Sequence, residues 1–488
     1  MRSERIAGGI LPKVLNSFDM VVIFIAIVLW IPNAALMTGA GPAAYIYWGL
    51  GFITFLIPGA IVTGQLGLMF PGEGSIYVWT TKAFGNFMGF LAGFCAWWPG
   101  ILTLIIAGTT VVSLIQKLGT LFGAPLLADS GSQGLVIILV ITFSFLLSVL
   151  RFRVTQNLVN VIFLTYGGAI VLIGLAGVLW LVTGHHASVN MSFQTGNWLP
   201  STGNFTFYGT VILALLGIEV PLNMGVEIKD TRSITRYLLW GSIVVMLAYL
   251  IATFGVMVTV PLKEQGDPNA LIEAIKSGFG PIGLVLATLI DLILVGYFIF
   301  AAAVYNYSFA RLVFVSGLDR RLPAVMSKVN TNRVPWVAVL VQTIIGISFT
   351  AIIFVLAPLS FKSDRLTTLM DDILLAAMTS IWCVSMVILF LDVLIIRRKY
   401  PPVFARVQLA PGWVFYLCSA VGAVASMFSI YVIFTAPWTS LVTTAMWDAW
   451  ITGITIISLV VAVIGFYIGR STLKSDLSDE EIITEVTS

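Results

Sequence analysis

The chain has 488 residues, 59% of them hydrophobic and only 10% charged, with a mean hydropathy of +1.03 and a net charge of +3. A single soluble domain cannot cover itself with so little polar surface, and basic residues scattered between apolar runs leave no footprint for nucleic acid. The composition is that of an all-α polytopic membrane protein whose partner is the lipid bilayer.

Residues 1–16 are short and basic, with no small-residue cleavage site before the next apolar run, and read as an N-terminus retained as a signal anchor. Twelve apolar stretches follow, each long enough at about 20 residues to cross a bilayer as a helix. They cover residues 17–41, 44–69, 85–116, 133–150, 154–183, 204–227, 235–261, 282–310, 335–357, 371–396, 412–437 and 446–469. Only Arg151-Phe152-Arg153 separates the fourth from the fifth, a tight turn held by two cations. Residues 470–488 are rich in Ser, Thr and acids, including Asp479-Glu480-Glu481, and read as a disordered tail. Cys95, Cys383 and Cys418 all lie within apolar runs without a metal or disulfide spacing, which assigns them to packing.

The basic residues orient these spans. With the N-terminus inside, twenty of the 25 Lys and Arg fall on the cytoplasmic side, Arg311, Arg320 and Arg321 among them. Such a bias places both termini in the cytoplasm and the protein in the cell membrane as a multi-pass chain.

Two spans are interrupted. Span 1 contains Trp30-Ile31-Pro32-Asn33, and span 6 contains Leu216-Gly217-Ile218-Glu219-Val220-Pro221. A glycine, a proline and a carboxylate are costly in hydrocarbon, and irregular backbone is tolerated there where it lines a cavity. Breaks in the first helix of each of two five-helix units, 17–183 and 204–396, are the sequence pointer to a five-plus-five inverted repeat with discontinuous helices 1 and 6. Spans 11 and 12, at 412–469, stand outside the repeat. The bland alternative is a pair of prolines that merely kink packed helices.

Three motifs carry a family resemblance. Pro71-Gly72-Glu73-Gly74-Ser75-Ile76-Tyr77 resembles the proline-glycine-glycine-tyrosine loop of the amino acid-polyamine-organocation (APC) superfamily. Gly217-Ile218-Glu219 with Lys229-Asp230 resembles that family's helix 6, and Asp319-Arg320-Arg321-Leu322-Pro323 with Val334-Pro335 resembles its loop between helices 8 and 9. The likeness is nearest to bacterial amino acid antiporters of the glutamate/GABA type. It implies a secondary active transporter of amino acids or related amines by alternating access, either proton-coupled symport or substrate antiport. The family's glycine-rich stretch in helix 1 maps onto Ile25-Ala26-Ile27, the aromatics before its helix 6 glycine onto Leu213 and Leu215, and the helix 5 lysine of some proton-coupled members near Tyr166. The substrate residues it implies are Ile25, Ala26, Ile27, Leu216, Gly217, Ile218 and the aromatic Tyr305, 14 residues before Asp319.

The chemistry of such a site also follows from the break itself. A half-helix N-terminus carries roughly half a positive charge and holds a carboxylate, while freed carbonyls take an ammonium, so one broken pair reads both ends of a zwitterion. Glu219 has two readings: a buried acid that loads and unloads a proton, for coupling or gating, or a structural acid bonded to freed backbone. Tyr305 likewise either stacks on substrate or packs as an ordinary tyrosine. Trp97, Trp98 and Trp382 are weaker candidates for the cavity wall, and Asp291 reads as a vestibule or packing acid. Asp19 and Asp392 read as acids near cytoplasmic helix ends, where snorkelling or pairing with Lys13 or Arg397 suffices.

No cofactor or metal is expected and no enzyme motif is present. His185 and His186 are adjacent and cannot form a spaced metal site, and no phosphate-binding glycine-lysine-serine/threonine loop occurs. A transporter-like amino acid sensor and a channel remain as alternatives to a carrier. The short tail offers a sensor no output domain, and a channel's continuous polar stripe cannot be drawn. Gly89-x-x-x-Gly93 permits close helix contact, within one bundle or between copies.

Overall fold

The computed structural model describes residues 1–192, 195–201, 203–356, 358, 366–439, 441–471, 484 and 486. Among these the regular elements are helices, as expected of a chain that has to satisfy its backbone groups within hydrocarbon, and extended pairing is limited to two isolated β-bridges, Leu15 with Ile228 and Glu73 with Met224.

Among the described residues eleven helices are long and apolar enough to cross a membrane, and the pair Ser17–Val28 and Pro32–Ala40, bent by 45°, makes a twelfth. That pair is span 1. Spans 2 to 12 are Ala43–Met69, Asn86–Leu121, Ser130–Val149, Phe152–Val182, Thr206–Asn223, Arg232–Thr259, Gly280–Leu318, Trp336–Leu356, Leu369–Lys399, Gly412–Thr435 and Thr444–Gly469. All twelve expected stretches fall on these helices.

Spans 3 and 8 overrun their expected ends. Their continuous α-helices, Asn86–Leu121 and Gly283–Leu318, have 36 residues each, or roughly 54 Å at the α-helical rise, well beyond a hydrocarbon core of about 30 Å. They are packed against each other more extensively than any other helix pair.

The N-terminal segment is more than a lead-in to span 1. Residues Arg2–Ile10 form a helix with Ile6, Ala7 and Ile10 buried, a periodic apolar face that the basic residues around it obscured. The backbone N–H and hydroxyl of Ser3 donate to Asp319 at 2.8 and 3.0 Å, and the N–H groups of Val14 and Leu15 both reach the carbonyl of Glu227 at 2.9 Å. Most of the tail lies outside the described residues, but the buried Val486 accepts the N–H of Val329 at 3.0 Å, so it returns to this same end of the bundle.

At the opposite end a second unexpected helix, Ala270–Gly278, lies between spans 7 and 8. Lys117 pairs with Glu273 at 2.6 Å, Asn269 donates to Ser113 at 2.9 Å, and Gly266 N–H donates to the Thr38 hydroxyl at 3.1 Å. The loop is thereby tied to spans 1 and 3.

Several polar residues have partners other than those expected. Asp19 pairs with Arg153 of span 5 at 2.5 Å and accepts the backbone N–H of Asn16, the N-cap of its helix, at 2.9 Å. Asp392 accepts from Thr80 at 2.6 Å, while Arg397 donates to the Gly412 carbonyl. Arg311 does not face solvent: span 8 continues through it and buries it to 1% exposure. Gly89 and Gly93 admit Thr81 and Tyr77 of the helix Ser75–Phe84, a contact within the bundle. The three cysteines are free and buried.

Candidate substrate site

Span 1 breaks where proline chemistry demands it. Pro32 has no N–H, and its ring would overlap the carbonyl of residue 28 in a continuous helix. The first half ends with Leu29 N–H bonded to the Ile25 carbonyl at 2.8 Å, and a new helix opens at Pro32. Of the carbonyls that lose their α-helical donors here, those of Ile27, Val28 and Leu29 are met by phenol hydroxyls. Tyr305 donates to Ile27 O, Tyr249 lies 2.8 Å from Val28 O, and Tyr166 lies 3.0 Å from Leu29 O. The N–H groups of Trp30 and Ile31 in turn donate to Tyr249 at 3.0 Å and Tyr166 at 3.1 Å. Tyr297 stacks on Tyr166 with centroids 3.5 Å apart. Four tyrosines from spans 5, 7 and 8 thus stand around one break.

Span 6 breaks by a different device. Its helix stops at Leu215, Leu216 is extended, and Gly217 adopts φ +104°, a conformation that strains any residue with a Cβ. A Cβ there would also overlap Ile27 Cγ2 and touch the Trp382 ring at 3.4 Å. Glycine therefore lets the two breaks meet. Beyond it the chain continues as the 3₁₀ turns Val220–Asn223 and Gly225–Glu227 rather than as an α-helix.

Glu219 sits at the start of that stretch, 1% exposed. Its Oε1 accepts the indole N–H of Trp382 at 2.9 Å, and its Oε2 has no partner among the described residues. An ionised carboxylate buried with one bare oxygen is unfavourable unless a cation or a proton joins it. Trp382 is held in turn by Phe309, with centroids 5.4 Å apart, and Phe309 stacks on Tyr305.

A cavity of about 30 Å³ opens where these elements converge. Span 1 contributes Ile27, Val28, Trp30 and Asn33; span 3, Thr103 and Ile106; span 6, Leu213, Ala214 and Leu216; span 8, Tyr305; span 10, Leu375, Met378 and Trp382. That is room for about one or two waters and no amino acid, so the cavity is closed.

The structure brings Ile27, Leu216 and Tyr305 to the cavity. Ile25 and Ala26 lie deeper, buried within the intact half of span 1. Gly217 lies behind the wall against Ile27 and Trp382, Ile218 packs on Gly59 of span 2, and Glu219 connects to the cavity through Trp382. Trp97 and Trp98 do not line it: the first donates to Gln342 and the second packs on Phe349. Tyr249 and Tyr297 had escaped sequence reasoning. The available signal was a phenol within an apolar span, which needs a hydrogen-bond partner when buried.

A family model described as amino acid permease matches residues 15–472. A probable agmatine/putrescine antiporter of Lactococcus lactis is 25% identical over 358 residues, covering 71% of this chain and 73% of the relative. A polyamine transporter of Arabidopsis thaliana is 25% identical over 383 residues, covering 74% and 68%. The gamma-aminobutyric acid permease of Escherichia coli is 23% identical over 353 residues, covering 67% and 68%. The two broken spans meeting at a closed cavity, and the match along nearly the whole chain, place this protein in the amino acid permease family of the APC superfamily.

Proposed function

We propose that the protein is a secondary active transporter of amino acids or related amines that works by alternating access, as a proton-coupled symporter or a substrate antiporter. Ile27, Leu216 and Tyr305 bound the substrate, with Ile25, Ala26, Gly217 and Ile218 supporting them, and Glu219 takes part in coupling or gating. The N-terminal end of the bundle faces the cytoplasm across the cell membrane. One observation carries this reading: both helix breaks, with the bare oxygen of Glu219 beside them, converge on one cavity between the two five-helix units.

The ligand chemistry follows from what the groups at and behind the cavity wall leave unsatisfied. Tyrosine hydroxyls already meet the carbonyls of Ile27, Val28 and Leu29, so the strongest unfilled acceptor is the Glu219 carboxylate. An ammonium group is its natural complement. The substrate classes in the relatives' names, agmatine, putrescine, other polyamines and gamma-aminobutyric acid, all carry one.

The test has two stages. A thermal-shift screen of purified protein against amino acids and amines finds ligands, because one that binds only the folded state raises the melting temperature. Counterflow in proteoliposomes then asks whether labelled ligand accumulates against an opposing unlabelled load. A carrier accumulates it; binding without counterflow indicates a sensor, and flux that no opposing load accelerates indicates a channel.

A further inference from the structure

At the N-terminal end of the bundle, below the broken part of span 6, three charged side chains are buried together. Arg311 Nε lies 3.3 Å from Glu73 Oε1, and Arg311 Nη2 lies 2.5 Å from Glu227 Oε1, with all three residues no more than 1% exposed. Glu73 belongs to the turn that follows span 2. Its Oε2 accepts the N–H of Val226 at 3.3 Å, and Gly74 N–H donates to the Asn223 carbonyl at 2.9 Å. The turn therefore lies antiparallel along the tail of span 6, where Gly225 has no room for a Cβ against the Gly72 carbonyl.

The charges in this cluster do not balance. Among the described residues Arg311 is the cation that meets either carboxylate, and its fork is split between them instead of gripping one in the stronger bidentate way. Among the described residues Glu73 Oε1 and both oxygens of Glu227 lack an aligned hydrogen-bond donor, and of these three oxygens Glu73 Oε1 and Glu227 Oε1 lie against the guanidinium. The surrounding polar groups are engaged elsewhere: Asp19 with Arg153, Lys82 with Glu4, Asp319 with Ser3 and Tyr77, and the Tyr307 hydroxyl with Gln156. Two ionised carboxylates over one guanidinium would leave an uncompensated negative charge in a buried site.

We infer that Glu73 and Glu227 share one exchangeable proton over Arg311, and that this proton locks the N-terminal end of the transport path shut. The inference rests on the alternating-access reading above, with that end facing the cytoplasm. Burial is the first cause that pushes both carboxyls up; Arg311 opposes it, and Glu227 is pushed up to about 7. The proton belongs to the pair rather than to either acid. With it, the cluster is neutral and the turn stays on span 6. When it leaves for water, two like charges face each other and the turn is driven from the tail of the helix that carries Glu219. An acid whose pKa is raised in the closed form stabilises closure at low pH and loses that effect as pH rises through about 7.

The test uses full-length protein carrying one cysteine at Leu222, with Cys95, Cys383 and Cys418 replaced by alanine. Leu222 is 1% exposed and packs on Gly67, so a thiol there reacts only when this end opens. Labelling rates by an impermeant maleimide are normalised to a cysteine at the exposed Val325, which removes the thiol's own titration. The normalised rate is expected to rise roughly ten-fold or more from about pH 6 to pH 8, one proton setting a ceiling of about a hundred-fold over that interval. Glu227→Gln should hold it low and flat, since a neutral amide keeps the lock closed. A flat profile in the parent protein, or a profile that survives Glu227→Gln, overturns the inference. If that variant does not accumulate, Glu73→Gln is read in the same way. The measurement needs no substrate: counterflow with a flat labelling profile defeats the proton lock alone, and a pH-dependent opening without counterflow defeats the transporter reading.

Discussion

The indole N–H of Trp382 donates to one oxygen of Glu219 at 2.9 Å and leaves the other oxygen bare, so span 10 fixes the acid at the break of span 6 without neutralising it. Neutralisation is left to a proton or to the substrate, and a single replacement separates those roles from a purely structural one. Glu219→Gln keeps the acceptor for Trp382 and nearly the same shape but cannot exchange a proton. Proton-driven net uptake in proteoliposomes, measured from about pH 5 to pH 8, should fall to the protein-free background and lose its pH dependence, while exchange of substrate for substrate persists. A pH profile like that of the unmutated protein would make Glu219 structural.

Gly217 is where the two breaks touch. Gly217→Ala both strains a backbone at φ +104° and drives a methyl into Ile27. Strain of this kind costs on the order of 1 to 3 kcal/mol. The variant should melt several degrees lower and lose most of its transport. Adding Ile27→Ala removes the colliding Cγ2, so the double variant should recover part of the melting temperature; no recovery would assign the whole cost to the backbone.

The parts legible in the sequence were those with local causes. An apolar run of bilayer length needs no tertiary context, and a proline or a left-handed glycine acts on its own backbone, so the twelve spans and the breaks near Pro32 and Gly217 could be read directly. What joins residues far apart in the chain could not. Tyr249 lies 221 residues from Val28, whose carbonyl it meets, and nothing in the spacing announces the contact. The glycine-rich stretch implied by resemblance maps to Ile25-Ala26-Ile27, yet the proline's steric reach extends only to residue 28, which leaves Ile25 and Ala26 inside intact helix. Arg311 looked like a loop cation because span 8 was ended at its first basic residue. Its two carboxylate partners, in segments remote along the chain, make burial possible.

The bias of basic residues makes a prediction about sidedness. In oriented membranes, an impermeant thiol reagent should label a cysteine at Leu262, 65% exposed in the loop tied to the far end, from outside the cell. A cysteine at Val325, 46% exposed between spans 8 and 9, should be labelled only after permeabilisation. The reverse pattern would invert the orientation and move the Glu73–Arg311–Glu227 cluster to the outer side.

Tyr305 has two jobs that two substitutions can divide. Its ring lines the cavity, and its hydroxyl donates to the Ile27 carbonyl at the break of span 1. Tyr305→Phe keeps the ring and strips the donor, leaving a buried carbonyl short of a partner at a cost of about 1 to 3 kcal/mol. That variant should lose several degrees in melting temperature while its affinity for substrate changes little. Tyr305→Ala removes ring and donor together. If the ring stacks on an ammonium or an aliphatic stem, the alanine variant should bind roughly ten-fold more weakly than the phenylalanine variant, since such contacts are worth on the order of 1 to 2 kcal/mol. Comparing the two cancels the loss of the hydroxyl, so equal affinities in Tyr305→Phe and Tyr305→Ala, measured by titration on folded protein, would reduce Tyr305 to a support for the backbone of span 1.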